Sequence, residues 1–204
     1  MGKLLKPTTE DINKLHAEIN QYINLRFLVV MTAVSLFGVL AGFILASVVA
    51  NSGQNSASAI TPLISVVSII IYIMLHILTG LLFQDLTLLT SYLRITGSSK
   101  WEIDYFEYEN SPHAKWWKFG LDRTIHFTFC LLVILTFVLS LCIAWVFGHI
   151  DSESYQRAYY LNVIVFIFAI IYLLMSAFGK VPFRRTEKEW EKIWKKIDDP
   201  DGDV

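Results

Sequence analysis

Polar and apolar positions divide the chain into four long apolar runs. Asp, Glu, Lys and Arg are missing from three intervals, which lie between Arg26 and Asp85, between Arg123 and Asp151, and between Arg157 and Lys180. Crossing a bilayer takes about 20 apolar residues, so the first interval fits two crossings and each of the others fits one. The polar run 51–58, NSGQNSAS, supplies the turn inside the first interval. The pattern predicts four spans at residues 27–50, 59–83, 124–148 and 158–179.

The segments that flank the first two spans are also predicted to be helical. Thr8 followed by Asp11 is a helix-start pattern, and neither Pro nor Gly interrupts the chain from Thr9 to Phe37. Residues 1–26 are therefore expected to form an amphipathic helix continuous with span one. Span two should likewise extend beyond residue 83, until Gly97 offers a C-terminal cap. The predicted fold class is all-α: a four-helix membrane bundle of two helical hairpins, with helical extensions.

The composition and the distribution of charge set the orientation. With 54% hydrophobic and 17% charged residues, the chain is unlike a soluble domain. All Lys and Arg residues except Arg157 lie before span one, in the loop 84–123 or in the tail 180–204, and such residues stay on the cytoplasmic side. Both termini are therefore predicted to be cytoplasmic, with external loops at 51–58 and 149–157. The expected location is a bacterial inner membrane, and the basic side suits anionic lipid headgroups, with no case for nucleic acid.

Span two carries a stripe of polar residues at three- and four-residue spacing, which places them on one helix face. This polar stripe consists of Ser65, Ser68, Tyr72, His76 and Thr79. It has two interpretations. The stripe either lines a hydrated path on which His76 acts as a pH-responsive gate or proton relay, or it joins helices through hydrogen bonds worth on average about 0.6 kcal/mol each. Thr136, Ser140 and Asn162 are further hydrogen-bonding candidates, whereas His126 is expected at headgroup level.

Span one contains a row of small residues, Gly38, Gly42 and Ala46, one every four positions. Such a row lets another helix approach closely. Either span two or a second copy of the chain could occupy it. A homo-oligomer is the expectation that follows from the second alternative.

Aromatic and acidic residues cluster in the predicted cytoplasmic segments. Trp116, Trp117, Trp190 and Trp194 are expected to anchor the chain at the membrane interface, the last two on an amphipathic tail helix. The acidic group in the central loop is expected to contact a cytoplasmic protein or the chain's own basic residues, and consists of Glu102, Asp104, Glu107 and Glu109.

Motifs for catalysis are missing from the sequence. It contains no HExxH, no CxxC, no phosphate-binding glycine run and no GxSxG. No cofactor and no metal are predicted, and the expected class is non-enzymatic. Three functions remain: an oligomeric channel-like or membrane-perturbing effector controlled from the cytoplasm, an anchor or accessory subunit for a cytoplasmic protein, and a small transporter. The lack of a carboxylate within any span argues against the transporter.

Overall fold

The computed structural model describes residues 7–50, 60–98, 121–147, 153–177 and 187–198. Within these ranges every residue is helical except Pro7, Thr8 and the segment 96–98. The helices are α1 (Thr9–Ala50), α2 (Ile60–Ile95), α3 (Leu121–Phe147), α4 (Glu153–Ala177) and α5 (Glu187–Asp198). By length and composition, α1 to α4 could each cross a membrane. The prediction of an all-α chain with four long apolar helices is confirmed.

Local sequence signals account for two of the helix ends. The Thr8 amide donates to Asp11 Oδ2 at 3.0 Å, and the Asp11 amide donates back to Thr8 Oγ1 at 3.3 Å, so the start of α1 is capped reciprocally. At the end of α2, Gly97 has a φ of 63° and the Ser98 amide donates to the Leu93 carbonyl at 3.1 Å. This is the hydrogen bond of a Schellman cap, in which glycine takes the left-handed conformation at no steric cost.

α1 and α2 extend beyond the predicted spans as the sequence pattern predicts, and α4 begins earlier than predicted. α1 is unbroken from Thr9, and α2 continues past residue 83 to Ile95. α4 begins at Glu153, ahead of the predicted start at Ala158, and a Glu153–Arg157 ion pair lies on its first turns. The acidic group Glu102, Asp104, Glu107 and Glu109, together with Trp116 and Trp117, lies outside the described residues.

The chain divides into two compact units. The bundle unit comprises Val29–Leu78 and Leu121–Val181. In its core, Ala33 of α1, Ile69 and Tyr72 of α2, Phe129 of α3 and Leu173 of α4 are all 0–1% exposed. Each of the four long helices therefore contributes residues to one shared core.

The tail unit comprises Met1–Leu28, Thr79–Gly120 and Pro182–Val204. Here the Arg26 guanidinium, 2% exposed, lies 4.7 Å from the centre of the Phe83 ring. The Trp194 side chain of α5 contacts Ser91 and Tyr92 of α2. α5 therefore packs against the part of α2 that follows predicted span two.

The outward faces of the long helices are apolar. Phe43, Met74 and Phe168 are 59%, 65% and 67% exposed, and many aliphatic side chains share this surface. Large contiguous apolar surfaces are rare on soluble monomers. A bilayer would cover this surface, which agrees with the length and composition of the helices.

Candidate functional site

The five residues of the polar stripe are all buried. Ser65, Ser68, Tyr72, His76 and Thr79 are at most 5% exposed. Their spacing keeps them on one face of α2, and packing turns that face inward. Ser68 donates to the Ile64 carbonyl of its own helix at 2.7 Å, so its hydroxyl is satisfied without another helix. Thr79 belongs to the tail unit, whereas the other four belong to the bundle unit.

Ser65, Asn162 and Ser140 form one hydrogen-bonded group, the asparagine cluster. Ser65 Oγ donates to Asn162 Oδ1 at 3.0 Å, and Asn162 Nδ2 donates to Ser140 Oγ at 3.0 Å. All three residues are at most 1% exposed. One amide thus joins α2, α4 and α3, because its carbonyl oxygen accepts while its NH₂ group donates. This geometry is that of the interhelical hydrogen bonds expected as one interpretation of the stripe.

His76 belongs to a second group, the histidine cluster, with His126, Tyr172 and Ser176. His76 Nε2 lies 2.8 Å from His126 Nδ1, and His76 Nδ1 lies 3.2 Å from Tyr172 Oη. His126 Nε2 lies 3.4 Å from Ser176 Oγ. The two imidazole centroids are 4.5 Å apart. A row of polar atoms from the Tyr172 phenol through two imidazoles to the Ser176 hydroxyl therefore joins α4 to α2 and α3 and returns to α4.

Between these clusters the core keeps some polar character. Tyr72, one turn before His76, and Thr136, one turn before Ser140, each bury a hydroxyl oxygen that has no hydrogen-bond partner among the described residues. Both residues are buried, Tyr72 at 0% and Thr136 at 3% exposure. We call the two clusters together with Tyr72 and Thr136 the polar column. Apolar side chains surround it, and the Phe129 ring lies edge-on to His76 at 5.3 Å between centroids.

The column is built from neutral or weakly basic groups. Between Arg26 and Asp85, and between Arg157 and Lys180, the sequence has no Asp, Glu, Lys or Arg. Among the described residues, no group of three or more His, Cys, Asp or Glu side chains could hold a metal ion. The Ser, Thr and Asn side chains of the column offer hydrogen bonding, and its two imidazoles can in addition bind a proton. Cys130 and Cys142 are free thiols on α3, the first half-buried and the second exposed.

The small-residue row on α1 faces outward. Gly38, Gly42 and Ala46 are exposed, and a methyl group added at Gly38 or Gly42 would meet no atom within 4 Å. In the structure, span two therefore does not pack against Gly38 or Gly42, which was one of the two alternatives for this row. α1 and α2 instead border an apolar groove of about 270 Å³, lined by Leu36, Leu40, Ile60, Leu63, Ile64, Val67, Ser68 and Ile71.

The tail tryptophans have protein surroundings. Trp194 and Trp190 are half-buried, and Trp194 Nε1 donates to Ser91 Oγ at 3.1 Å. Lys192, Lys195 and Lys196 of α5 are exposed. α5 is amphipathic, as expected, and a face that includes Trp194 contacts α2. An interfacial role for these tryptophans stays a prediction.

The partners of His76 do not follow from the sequence pattern. The pattern places His126 at headgroup level, yet its ring meets His76, and it does not single out Tyr172 or Ser176. A usable signal exists, because spans two and three are predicted to run in opposite directions, with both histidines near the same membrane face. Tyr172 and Ser176 are also four residues apart, which places them on one face of a helix.

Comparison of the chain with protein-family models, with curated proteins and with solved structures gives no match.

Proposed function

We propose that the protein is a non-enzymatic, multi-pass membrane effector with channel-like permeability, controlled from the cytoplasmic side. The observation that supports this most is the polar column, a set of hydrogen-bonding side chains from α2, α3 and α4 in an otherwise apolar core. Polar groups inside a membrane protein are costly and most often serve a function. A column of polar side chains that links three helices could form a permeation path or control one.

Membrane insertion is part of the proposal, and three observations support it. Four helices have the length and composition of spans, their outer faces are apolar, and the chain segments between them carry an asymmetric set of basic residues. The positive-inside rule then puts both termini in the cytoplasm. A bacterial inner membrane fits this arrangement.

The packing of the column selects a small permeant. Tyr72, Phe129 and Asn162 are all 0% exposed, so side chains rather than open space fill the core around the column. A hydrated ion needs a water-filled path, whereas a proton can pass between hydrogen-bonded groups. In the arrangement described, the column therefore suits protons better than metal cations or organic substrates.

Control from the cytoplasm is supported by α2 and α5. α2 is one unbroken helix that carries both His76 and Ser91, and Ser91 accepts the hydrogen bond from Trp194. A change in how α5 binds α2 can therefore act on the same helix that supplies the stripe.

The exposed row Gly38, Gly42 and Ala46 supports a homo-oligomer, because small residues let helices of two copies approach closely.

Proton flux into liposomes containing the purified protein tests the proposal. A pH-sensitive dye inside the vesicles reports flux after a potassium gradient and valinomycin set the membrane potential. We expect flux through the wild type that falls at least several-fold in His76→Gln. Ser68→Ala is the matched control, since its hydroxyl bonds only its own helix in the contacts described, and it should conduct like the wild type. Vesicles that stay impermeable, or flux that His76→Gln leaves unchanged, would contradict the proposal.

The anchor function is the second candidate, and one observation favours it. α5 is held on α2 with Lys192, Lys195 and Lys196 exposed, which offers a basic surface to an acidic cytoplasmic protein. Purification from the native membrane under mild detergent, with and without charge reversal of these lysines, distinguishes the two. A stoichiometric partner that is lost on charge reversal, combined with impermeable vesicles, would favour the anchor.

A further inference from the structure

We infer that the apolar groove bordered by α1 and α2 is a lipid site, which holds one acyl chain of a phospholipid from the outer leaflet. The inference rests on the membrane insertion and the orientation of the proposed function, but not on permeability. Three features carry it: the apolar lining of the groove, its continuity with the apolar outer surface, and its length and direction.

The lining of the groove suits an uncharged occupant. Seven of its eight described lining residues are aliphatic, and the eighth is Ser68. The Ser68 hydroxyl donates to the Ile64 carbonyl of its own helix at 2.7 Å, so it needs no partner in the groove. Between Arg26 and Asp85 the sequence has no Asp, Glu, Lys or Arg. The described lining therefore offers no charge to an ion or a headgroup, and charge complementarity favours an apolar chain.

The size of the groove also favours an apolar molecule over water. The groove has a volume of about 270 Å³. In soluble proteins, apolar cavities of roughly 150 Å³ stay dry and take up small apolar molecules. Side chains beside a void lose dispersion contacts, and a methylene chain restores them. The groove therefore gains contacts when an acyl chain fills it.

The groove is continuous with the outer surface that a bilayer would cover. Ile60, Leu63 and Val67 line the groove and are also 44% to 59% exposed. On α1, Leu36 and Leu40 are half-buried and line the groove as well. A lipid chain beside α2 therefore reaches the groove directly, across an apolar surface.

The groove runs along α2 for about the depth of one leaflet. Its α2 residues recur at three- and four-residue spacing from Ile60 to Ile71, which places them on one face of the helix. At about 1.5 Å per residue this distance is about 16 Å, and half of a hydrocarbon core is about 15 Å. Ile60 begins α2, next to the predicted external loop. An acyl chain that stands upright in the outer leaflet therefore matches the groove in length and direction.

The α1 residues agree with this depth. Leu40 lies ten residues before residue 50, the predicted outer end of span one. It is therefore about 15 Å below that end, at a depth similar to that of Ile71. The two helices together line the deeper end of the groove, where the methyl end of an outer-leaflet chain would lie.

Lipid retention by the full-length chain tests the inference. The protein is released from vesicles of phosphatidylethanolamine and phosphatidylglycerol into a mild detergent, and native mass spectrometry counts the lipids that stay bound. We expect one phospholipid per wild-type chain. Leu63→Phe should lower this occupancy roughly threefold or more, because the ring takes the space and the dispersion contacts of the acyl chain. A wild-type chain released without lipid, or occupancy that Leu63→Phe leaves unchanged, would overturn the inference.

Leu161→Phe is the matched control. Leu63 and Leu161 are both 44% exposed, and they are the fifth and fourth residues of predicted spans two and four, so they lie at nearly the same depth. Leu161 is not among the described residues that line the groove, so Leu161→Phe should retain lipid like the wild type. Equal losses in the two variants would mean that the bound lipid is not in the groove, which overturns the inference.

Photoreactive phospholipids test the direction of the chain and the identity of the occupant. A diazirine near the carboxyl end of the acyl chain should label Ile60 and Leu63, and one near the methyl end should label Leu40 and Ile71. The reverse order would overturn the inference. A dimer that is released without lipid and is lost in Leu63→Phe would assign the groove to a second copy of the chain, which also overturns it.

Failure of the lipid site and failure of the proposed function give different results. A chain that retains the lipid but passes no protons would refute the permeability and leave the site standing. Photolabelling that reaches neither the groove nor Leu161 would contradict membrane insertion, and the lipid site with it.

Discussion

The indole nitrogen of Trp194 donates a hydrogen bond to Ser91 Oγ at 3.1 Å, and the same hydroxyl donates to the Leu88 carbonyl at 2.8 Å. The hydroxyl hydrogen is thus used within α2, which leaves a lone pair on Oγ for Trp194. The Trp194 ring also lies edge-on to Tyr92, with 5.3 Å between the centroids. α5 therefore binds α2 through both a directional hydrogen bond and an aromatic contact.

Trp194→Phe should loosen α5 while keeping most of the aromatic contact. The lost hydrogen bond is worth about 0.5–1.5 kcal/mol, so the amides of α5 should exchange with deuterium up to roughly tenfold faster. Hydrogen exchange followed by mass spectrometry on the tail peptide measures this.

Ser91→Ala and the double variant complete a thermodynamic cycle for this contact. If Trp194 and Ser91 interact as described, the effects of the single variants should not add, and the coupling should be about 0.5–1.5 kcal/mol. Strictly additive effects would mean that the hydrogen bond does not hold α5.

Asn162→Ala should destabilise the bundle more than Ser65→Ala. Asn162 bonds both Ser65 and Ser140, so its loss removes two interhelical hydrogen bonds, and Ser65→Ala removes one. At an average of about 0.6 kcal/mol for each such bond in a membrane protein, the expected losses are about 1.2 and 0.6 kcal/mol. Reversible unfolding in mixed micelles measures both.

Ser68→Ala is the control for buried hydroxyls in this series, since Ser68 bonds the Ile64 carbonyl of its own helix. It should change stability by less than about 0.5 kcal/mol. A Ser68→Ala variant as unstable as Asn162→Ala would show that burial of a hydroxyl, rather than the link between helices, determines stability here.

The helices follow from the sequence because their signals are local. Charge-free intervals, the Thr8–Asp11 start and the Gly97 cap each depend on residues that are close together along the chain. The inward face of α2 is also local information, since polar residues at three- and four-residue spacing share one side of a helix. The amino-acid sequence alone is therefore enough to derive these parts of the fold.

The partners of the stripe cannot be derived in the same way. His76 meets His126 and Tyr172 across sequence separations of 50 and 96 residues. Such contacts depend on how far each helix is rotated and shifted against its neighbours, which no local pattern specifies. The sequence can therefore name Asn162 and Ser140 as hydrogen-bonding candidates, but it cannot join them to Ser65.

The start of α1 should respond to acid through Asp11. Hydrogen bonds from the Thr8 side chain and backbone hold the pKa of Asp11 below its ordinary value. A carboxyl whose folded pKa is depressed stabilises the fold above its unfolded pKa, and this contribution is lost as the pH falls towards the folded value. The first turn of α1 should therefore fray below about pH 4, seen as a loss of protection of the Asp11 and Ile12 amides relative to their intrinsic exchange rate at each pH.

Two variants check the origin of this response. Thr8→Ala removes the hydroxyl that donates to Asp11 at 2.6 Å, so the pKa of Asp11, measured by NMR, should rise towards its ordinary value. Asp11→Asn should flatten the acid response of the first turn. Fraying that persists unchanged in Asp11→Asn would assign the response to another group.

Phe83→Leu should destabilise the chain through Arg26. The guanidinium lies 4.7 Å from the Phe83 ring centre and is 2% exposed, so this cation–π contact is desolvated. Such contacts are worth about 2 kcal/mol when removed from water, and the variant should lose roughly that amount in a micelle unfolding assay. Phe27→Leu is the matched control, because Phe27 neighbours Arg26 but is 58% exposed. If both leucine variants cost the same, loss of ring area rather than the cation–π contact would be the cause.

A bulky residue in the exposed small-residue row should prevent association between copies of the chain while leaving the stability of one chain unchanged. A side chain at Gly38 or Gly42 meets no atom of its own chain within 4 Å at the Cβ position, so Gly42→Leu should leave the unfolding transition of one chain within about 0.5 kcal/mol of the wild type. If copies of the chain associate through this row, the same substitution should abolish cross-linking between them, because leucine keeps the backbones apart. Val39→Leu, at a position that is 69% exposed beside the row, is the control and should cross-link like the wild type. Cross-linking that survives Gly42→Leu would place the contact between copies on another face.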